Sequence, residues 1–325
     1  MKPGWTQQES MNRFCYDIFK SSLAEGLIQP HDKIIISLSG GIDSMSLSCL
    51  LSDFREKIEL GLHWVHFNHG LRPESEGEAR FINELSHQKE IPVTIIKTDH
   101  LSGHKGMQNQ ARDWRYENLE RIRQELGFNK IALGHHLNDL VETQIWRLLR
   151  GGSLFSFNPI LKKNLPYIRP LLHITKLELE SYLKEIGQDW CEDASNAEND
   201  YTRNLIRNEL IPIMQTCASG KLEEKLLALD HDAQLLKDLF HESVPSEQYK
   251  CDRLAYSDIN AYPQLLACEL IHRYLLHNGQ TEINRNNIEL IFKQVQSNRG
   301  NWSINLKDGA QISGRHKTIT IGKSS

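Results

Sequence analysis

The chain has 325 residues, 39% apolar and a quarter charged, with a formal net charge of −4. That describes a soluble globular protein of about two domains, and the acid excess speaks against a uniformly basic nucleic-acid-binding domain. No apolar run approaches the ~20 residues of a bilayer span, and the N-terminus MKPGWTQQES shows no secretory pattern, so the expected location is the cytoplasm. The six cysteines (15, 49, 191, 217, 251, 268) include no C-x-x-C pair. They read as reduced, mostly buried thiols, not as a disulfide framework or zinc site.

In chain order, residues 11–28 read as a helix. Apolar β-branched runs at 33–38, 60–67, 92–96 and 130–133 predict strands, with helices at 44–54, 75–89, 108–126 and 139–149 between and after them. Strands alternating with helices of that length are βαβ units. The expected fold class is therefore α/β: a doubly wound parallel sheet with helices on both faces. Past Gly151 the pattern loosens around Pro159, Pro166 and Pro170, a helix follows at 176–186, and then the polar stretch EDASNAENDYTRN. Pro212 and Ala218-Ser219-Gly220 mark a boundary. They divide the chain into an N-terminal catalytic domain, 1–216, and a smaller, mainly helical C-terminal domain, 217–325, ending in short strands. There Leu222, Leu226, Leu229, Ala233, Leu236 and Phe240 form one apolar helical stripe, with helices expected at 263–277 and 285–296. The short pieces NWSINL, AQISG and TITIG close the chain. Residues 285–325 hold seven Lys/Arg against two acids. On charge alone, a nucleic-acid contact and an ordinary solvated face are equal readings of that bias.

Ser39-Gly40-Gly41-Ile42-Asp43-Ser44 lies at the carboxyl end of the first strand and opens a helix. Ligands of open α/β sheets bind at such ends, where free N–H groups and the helix dipole favour an anion. The two glycines clear Cβ atoms from the path of phosphate oxygens, and Ser39 and Ser44 add hydroxyl donors. The pattern is neither G-x-G-x-x-G nor a Walker loop, because no Gly-Lys-Ser/Thr follows. Asp43 beside phosphates makes sense with a cation between them. The competing reading is a plain βα turn with Asp43 or Ser44 as helix N-cap. S-G-G-x-D-S after a first parallel strand resembles the pyrophosphate loop of the N-type ATP pyrophosphatases, the PP-loop family. That resemblance implies a Rossmann-like PP-loop ATPase domain cutting ATP between its α and β phosphates.

Further stretches narrow the resemblance: HFNHGLR (66–72), QARDWRYENL (110–119), GHHLNDLVET (134–143), RGG (150–152), RPLL (169–172) and DASNAENDYTRNLIR (193–207). In order over residues 30–212, they resemble the tRNA(Ile)-lysidine synthetases. The resemblance implies ATP-dependent ligation of L-lysine to C2 of the wobble cytidine of tRNA(Ile) with a CAU anticodon. An adenylated cytidine is the intermediate, and lysidine, AMP and pyrophosphate are the products. ATP and Mg²⁺ are the implied cofactors, and tRNA(Ile) and free lysine the partners; no membrane is involved, and the oligomeric state stays open, a homodimer included.

The same resemblance implies site roles. Ser39, Gly40, Gly41, Ile42, Asp43, Ser44, His66 and Asn68 bind ATP. Asp43, His136 and Asp139 are catalytic, and Asp43 and Asp139 also hold Mg²⁺. Asp139 and Glu142, three apart on one helix face, take the lysine ammonium groups. Arg112, Arg115, Tyr201, Arg203 and Arg207, with Arg315 and Lys317 of the basic tail, hold the tRNA. Bland alternatives stand beside these. Asp139 and Glu142 suit a helix first turn, Arg112 and Arg115 a solvated face, and Arg203 and Arg207 a pairing with Glu209 or Asp193. A zinc set from His66, His69, His135 and His136 is poor, since no cysteine or paired acid completes it. Lysine must lose a proton before attack, to a neutral His135 or His136 or to a carboxylate. Two other readings compete. A tRNA thiolase of the same family is expected to carry a cysteine pair, absent here. A non-catalytic nucleotide- or RNA-binding module has no use for carboxylates beside phosphate.

Overall fold

The computed structural model describes residues 12–68, 74–97, 107–191, 201–280, 283–298, 300–306 and 309–323; of residues 74, 75, 107–109, 201 and 323 only the backbone is described. It divides into two compact units, residues 1–141 with 160–205, and residues 142–159 with 206–325.

The first unit is built on a sheet of order β3-β2-β1-β4-β6-β5. The strands are β1 (Lys33–Ser37), β2 (Gly61–Asn68), β3 (Val93–Lys97), β4 (Lys130–Ala132), β5 (Lys163–Asn164) and β6 (Tyr167–Ile168). All pair in parallel except the edge hairpin β5–β6. Ile34, Ile35 and Ile36 of β1 are wholly buried. A central parallel strand is covered on both faces, so it runs apolar without alternation. Ile34 and Ile36 pack with α1 (Arg13–Ala24), α2 (Ile42–Ile58), α3 (Glu74–Lys89) and α6 (Lys176–Glu185); Ile35 packs with Leu119 and Ile122 of α4 (Met107–Glu125) on the other face. This is the doubly wound α/β sheet expected from the alternation of elements. Strand order reverses between β1 and β4, and the crevice at their carboxyl ends is where such sheets hold ligands.

The short hairpin β5–β6 was not legible as strand, because its two-residue arms sit among prolines. α6 begins with a capping box: Thr175 Oγ1 accepts from the Glu178 N–H at 3.2 Å, and Glu178 Oε2 accepts from the Thr175 N–H at 2.8 Å. All six cysteines are free thiols, but only Cys15 and Cys49 are buried, against the expectation that most would be.

The second unit contains α9 (Leu222–Ser243), α10 (Tyr256–Asn260), α11 (Gln264–His277), α12 (Arg285–Gln296) and an antiparallel sheet of order β7-β10-β9-β8. Its strands are β7 (Leu254–Ala255), β8 (Asn301–Asn305), β9 (Ala310–Arg315) and β10 (Thr318–Lys323). Phe240, Ile271, Tyr274, Ile312 and Ile319 centre its core. The α9 stripe forms as expected except at Leu229, which is exposed; Asp230 is buried beside it. The domain boundary read from the sequence is at 216/217; the compact units divide at 205/206, with residues 142–159 in the second. The reason is packing. Phe155 meets Phe240 edge-on, with ring centroids 5.9 Å apart, and the Asn158 side chain donates to Asp230 at 2.9 Å. Residues 201–217, which gave no helical signal, fold as α7 (Tyr201–Leu205), a π-helical turn (Ile206–Leu210) and α8 (Ile211–Cys217). No helix among the described residues is long and apolar enough to cross a membrane.

Candidate active site

The Ser-Gly-Gly turn closes on itself. Ser44 Oγ accepts from the N–H groups of Ser39 (3.1 Å) and Gly40 (3.2 Å) and donates to Gly41 O (3.1 Å). Two amides converging on one oxygen are the arrangement a phosphate oxygen needs. Gly40 has φ +90°, and a Cβ there would meet Cys191 Sγ at 3.3 Å. Cys191 also donates its N–H to Gly40 O at 2.9 Å, tying the loop to the chain after α6. The N-cap of α2 is Gly41, without a side-chain cap. Neither Asp43 nor Ser44 is the cap that the plain-turn reading named.

Asp43 stands in the first turn of α2, and its Oδ1 is buried without a hydrogen-bond partner. It lies 3.5 Å from His136 Nε2, an ionic contact longer than a good hydrogen bond. Gly134 makes this approach possible. A Cβ there would stand 3.2 Å from the backbone of Asp43 and Ser44, so any side chain at the end of β4 would push the histidine pair away. His136 precedes α5 (Leu137–Leu149), and its N–H donates to Asp139 Oδ2 at 3.1 Å. The same carboxylate oxygen is 3.7 Å from His136 Nε2. Asp43, His136 and Asp139 are thus brought together.

The two adjacent histidines differ. Burial pushes the His135 pKa down to about 4, aided by Arg169 and Arg112 and opposed by Asp139. Its Nδ1 accepts from Arg169 Nε at 3.2 Å, so the ring hydrogen is on Nε2. Burial also works against a charged His136, but Asp43 and Asp139 outweigh it and raise its pKa above the ordinary value. The Nδ1 of His136 is buried without a partner.

His66, at the end of β2, donates Nδ1–H to Leu38 O at 2.9 Å; burial lowers its pKa, and its Nε2 is a buried acceptor without a partner. Asn68 is buried one turn of pleat further on and bonds Glu76. Asn138 accepts the Lys176 N–H at 3.0 Å, fastening the start of α6. Arg112 lies over the Tyr116 ring, 5.5 Å from its centroid, and Arg115 is exposed on the same helix. Arg203 is exposed on α7; the side chain of Tyr201, together with His69 and Asp193, lies outside the described residues.

In the second unit, Arg207 grips Glu142 with Nε and Nη2 at 2.9 and 2.7 Å from Oε2. Glu142, expected from the sequence to take a lysine ammonium, has a guanidinium on its Oε2. The alternative read for Arg203 and Arg207 was a pairing with Glu209 or Asp193; Asp193 lies outside the described residues, and Arg207 meets Glu142, 65 residues away. Arg315 and Lys317 are exposed on the β9–β10 hairpin. Three contributors were missed in the sequence: Gly134, Cys191 and Arg169. Gly134 and Arg169 stand inside the quoted stretches GHHLNDLVET and RPLL but were given no role; Cys191 left no signal.

Among the described residues no group of three or more His, Cys, Asp or Glu could enclose a metal. Mg²⁺ asks less. It takes one or two carboxylates and fills its remaining positions with phosphate oxygens and water. Asp43, with an orphaned buried oxygen, and Asp139, within 3.7 Å of the same imidazole nitrogen, fit that demand.

Residues 8–214 match the PP-loop domain family. A Persephonella marina protein named tRNA(Ile)-lysidine synthase is 29% identical over 91% of this chain and 67% of its own length. One of the same name from Bacteroides thetaiotaomicron is 37% identical over 59% of this chain and 45% of its own. The chain thus spans from under half to about two thirds of the length of these curated relatives. In fold, it is similar to the U34-tRNA thiolase NcsA from Methanococcus maripaludis with its [4Fe-4S] cluster (TM-score 0.57, 16% identity, covering 69% of this chain and 78% of that one). With its phosphate-ready glycine turn at the switch point of a doubly wound sheet and a family match over most of that unit, the chain belongs to the PP-loop family.

Proposed function

We propose that this chain ligates L-lysine to C2 of the wobble cytidine of tRNA(Ile) bearing a CAU anticodon, consuming ATP and releasing AMP and pyrophosphate. The observation that carries it is the Asp43–His136–Asp139 cluster set against an anion-ready loop. Carboxylates beside a phosphate cradle are costly for simple phosphate binding and useful for phosphoryl transfer through a cation. The named relatives support lysine and tRNA(Ile) as the acceptor pair. The thiolase alternative loses ground because the likeness to NcsA is one of fold alone.

In the first step the cytidine O2 attacks the α-phosphorus, the bond to the β-phosphate oxygen breaks, and pyrophosphate leaves. The N–H groups of the 39–41 turn hold phosphate oxygens once Ser44 Oγ yields its place. Bound Mg²⁺ would neutralise the growing charge on pyrophosphate, held by Asp43 and Asp139. His66 and Asn68 flank the adenosine. In the second step the lysine ε-nitrogen attacks C2, the C2–O bond breaks, and AMP departs with that oxygen. The ε-ammonium must first give up a proton. His135 is a poor acceptor, since Arg169 already holds its Nδ1. His136 is the better one: its Nε2 faces two carboxylates while its Nδ1 stands without a partner. Asp139 attracts the incoming ammonium. Arg112, Arg115, Tyr201 and Arg203, with Arg315 and Lys317, hold the tRNA backbone; Glu142 fixes Arg207 for the same task.

The test supplies the purified protein with tRNA(Ile) of CAU anticodon, ATP, Mg²⁺ and labelled lysine. Label should enter the RNA, with AMP and pyrophosphate formed, only when all are present. AMP formation indifferent to lysine, or label absent from the RNA, would sink the reading.

A further inference from the structure

The Arg150-Gly151-Gly152 stretch takes no part in the chemistry above. In the second unit it ends α5 in a Schellman motif: Gly151 donates its N–H to Leu148 O at 3.0 Å, and Gly152 its N–H to Arg147 O at 2.9 Å. Gly151 has φ +72°, and a Cβ on Gly152 would run into Ser156 Oγ and Arg147 O. The two glycines therefore serve the turn, and the turn displays what precedes and follows it.

What it displays is unusual for a protein surface. The Arg150 guanidinium lies over the Trp146 ring, 4.0 Å from the centroid. Leu148, Leu149 and Leu154 are 52%, 62% and 59% exposed. Arg147 is fastened to Ser156 O at 3.1 Å. Residues 143–159 of this unit contain two cations, Arg147 and Arg150, and no acid, in a chain whose net charge is −4. Exposed leucines along a stretch that carries an indole-held guanidinium and no acid mark an interaction surface.

The chemistry selects the partner. A guanidinium held by an indole on one face keeps its other face for a second flat group and its N–H edge for a phosphate. Trp146 has already restrained it, so little freedom is lost on binding. Unpaired RNA offers apolar base faces and phosphates together, whereas a duplex hides the faces and leaves only phosphate. We propose that residues 146–154 form a stacking platform for unpaired nucleotides of the tRNA substrate. The proposal rests on the tRNA reading above and adds to it a place where loop bases, as distinct from backbone, are held.

The test uses the full chain and two RNAs, a hairpin carrying the CAU loop and a fully paired duplex of equal length, at one salt concentration. Arg150→Ala should weaken hairpin binding about tenfold and duplex binding less than about twofold. Leu149→Ser should weaken the hairpin alone, about threefold. Thermal unfolding should not move, because both side chains are exposed. Equal weakening on both RNAs would overturn the platform in favour of plain phosphate contacts, and no weakening would overturn it outright. A Leu149→Ser change in mass by light scattering, with hairpin binding intact, would make the patch an interface between copies and overturn it too. The two levels separate cleanly. Lysidine formed by a protein that binds the RNAs without selectivity removes the platform and leaves the reaction. Selective hairpin binding without lysidine removes the reaction and leaves the platform.

Discussion

Two ends of one sheet hold aspartates with opposite surroundings. Asp32, before β1, is surrounded by donors: Lys130 Nζ at 2.6 Å, Asn129 Nδ2 at 2.7 Å and the Gln29 N–H at 2.6 Å. Lys130 in turn reaches Leu27 O at 2.9 Å, so the buried pair is complete. Asp43, after β1, has a buried oxygen that no donor meets and an imidazole held off at 3.5 Å. A buried carboxylate with its donors in place specifies structure; one left short is held ready for a ligand. The same residue type is thus satisfied at the amino end of the strand and left short of donors at the carboxyl end.

The comparison is broken or kept by paired variants. Asp43→Ala should cost about 10²- to 10³-fold in lysidine formation, the scale of removing one group that organises transition-state charge. The unfolding midpoint should hardly fall, and tRNA binding should persist. Asp32→Ala should behave the other way. It strands the Lys130 ammonium in the interior, at about 3–5 kcal/mol of stability, while the molecules that stay folded keep their turnover. Denaturant titration and single-turnover kinetics on both variants decide the matter. Stability lost at Asp43 and turnover lost at Asp32 would reverse the assignment.

Gly134 sharpens the contrast, because it serves the carboxyl end only by lacking a side chain. Gly134→Ala places a Cβ 3.2 Å from the backbone of Asp43 and Ser44. Overpacking of this kind costs about 1–3 kcal/mol. Turnover should fall by more than that destabilisation alone accounts for, since His136 must move away from Asp43. A stability loss with turnover intact would show that the 3.5 Å approach of His136 to Asp43 does not matter.

Much of this was open to reading from residues alone, for a physical reason. The β1 isoleucines, the glycine turn and the acid beside it are local patterns, set by neighbours in the chain, and the doubly wound fold follows from alternation. What stayed hidden depends on partners distant in sequence. Arg207 meets Glu142 across 65 positions, Arg169 fixes the tautomer of His135, and Cys191 clamps Gly40. The contrast between His135 and His136 likewise comes from neighbours that no spacing reveals. That residues 142–159 group with the second unit was likewise hidden, because Phe155 and Asn158 join it by packing alone.

Asp230 carries the comparison into the second unit as an intermediate case. It accepts from Asn158 Nδ2 at 2.9 Å and Gln144 Nε2 at 3.3 Å, yet burial raises its pKa to about 6, with Asn158, Lys237, Gln144 and His231 pulling it down. A folded pKa above the unfolded value of about 3.9 means the protonated form is favoured by folding. Its contribution is therefore fully present below the unfolded value and lost as pH rises through about 6. Stability of the second unit should fall by at most about 3 kcal/mol over that window, and Asp230→Asn should flatten the profile. A profile equally steep in the variant would assign the dependence to other groups.

The smallest effect tests whether the basic hairpin is scaffold or function. Arg315 pairs with Thr318, and between them His316 and Lys317 both have positive φ, 49° and 58°. That is a two-residue turn whose backbone normally selects Asn-Gly. His316→Asn with Lys317→Gly should therefore stabilise the hairpin, by about 0.5–1 kcal/mol. If the tip only closes a turn, nothing else changes. If its charges meet phosphate, the same variant, and Arg315→Glu with Lys317→Glu more strongly, should weaken tRNA binding. For each phosphate the hairpin no longer neutralises, the slope of log affinity against log salt should also shrink by about one. A hairpin that gains stability and leaves the salt slope untouched would return Arg315 and Lys317 to an ordinary solvated surface. A gain in stability at the expense of affinity would show why an unfavourable turn sequence is kept.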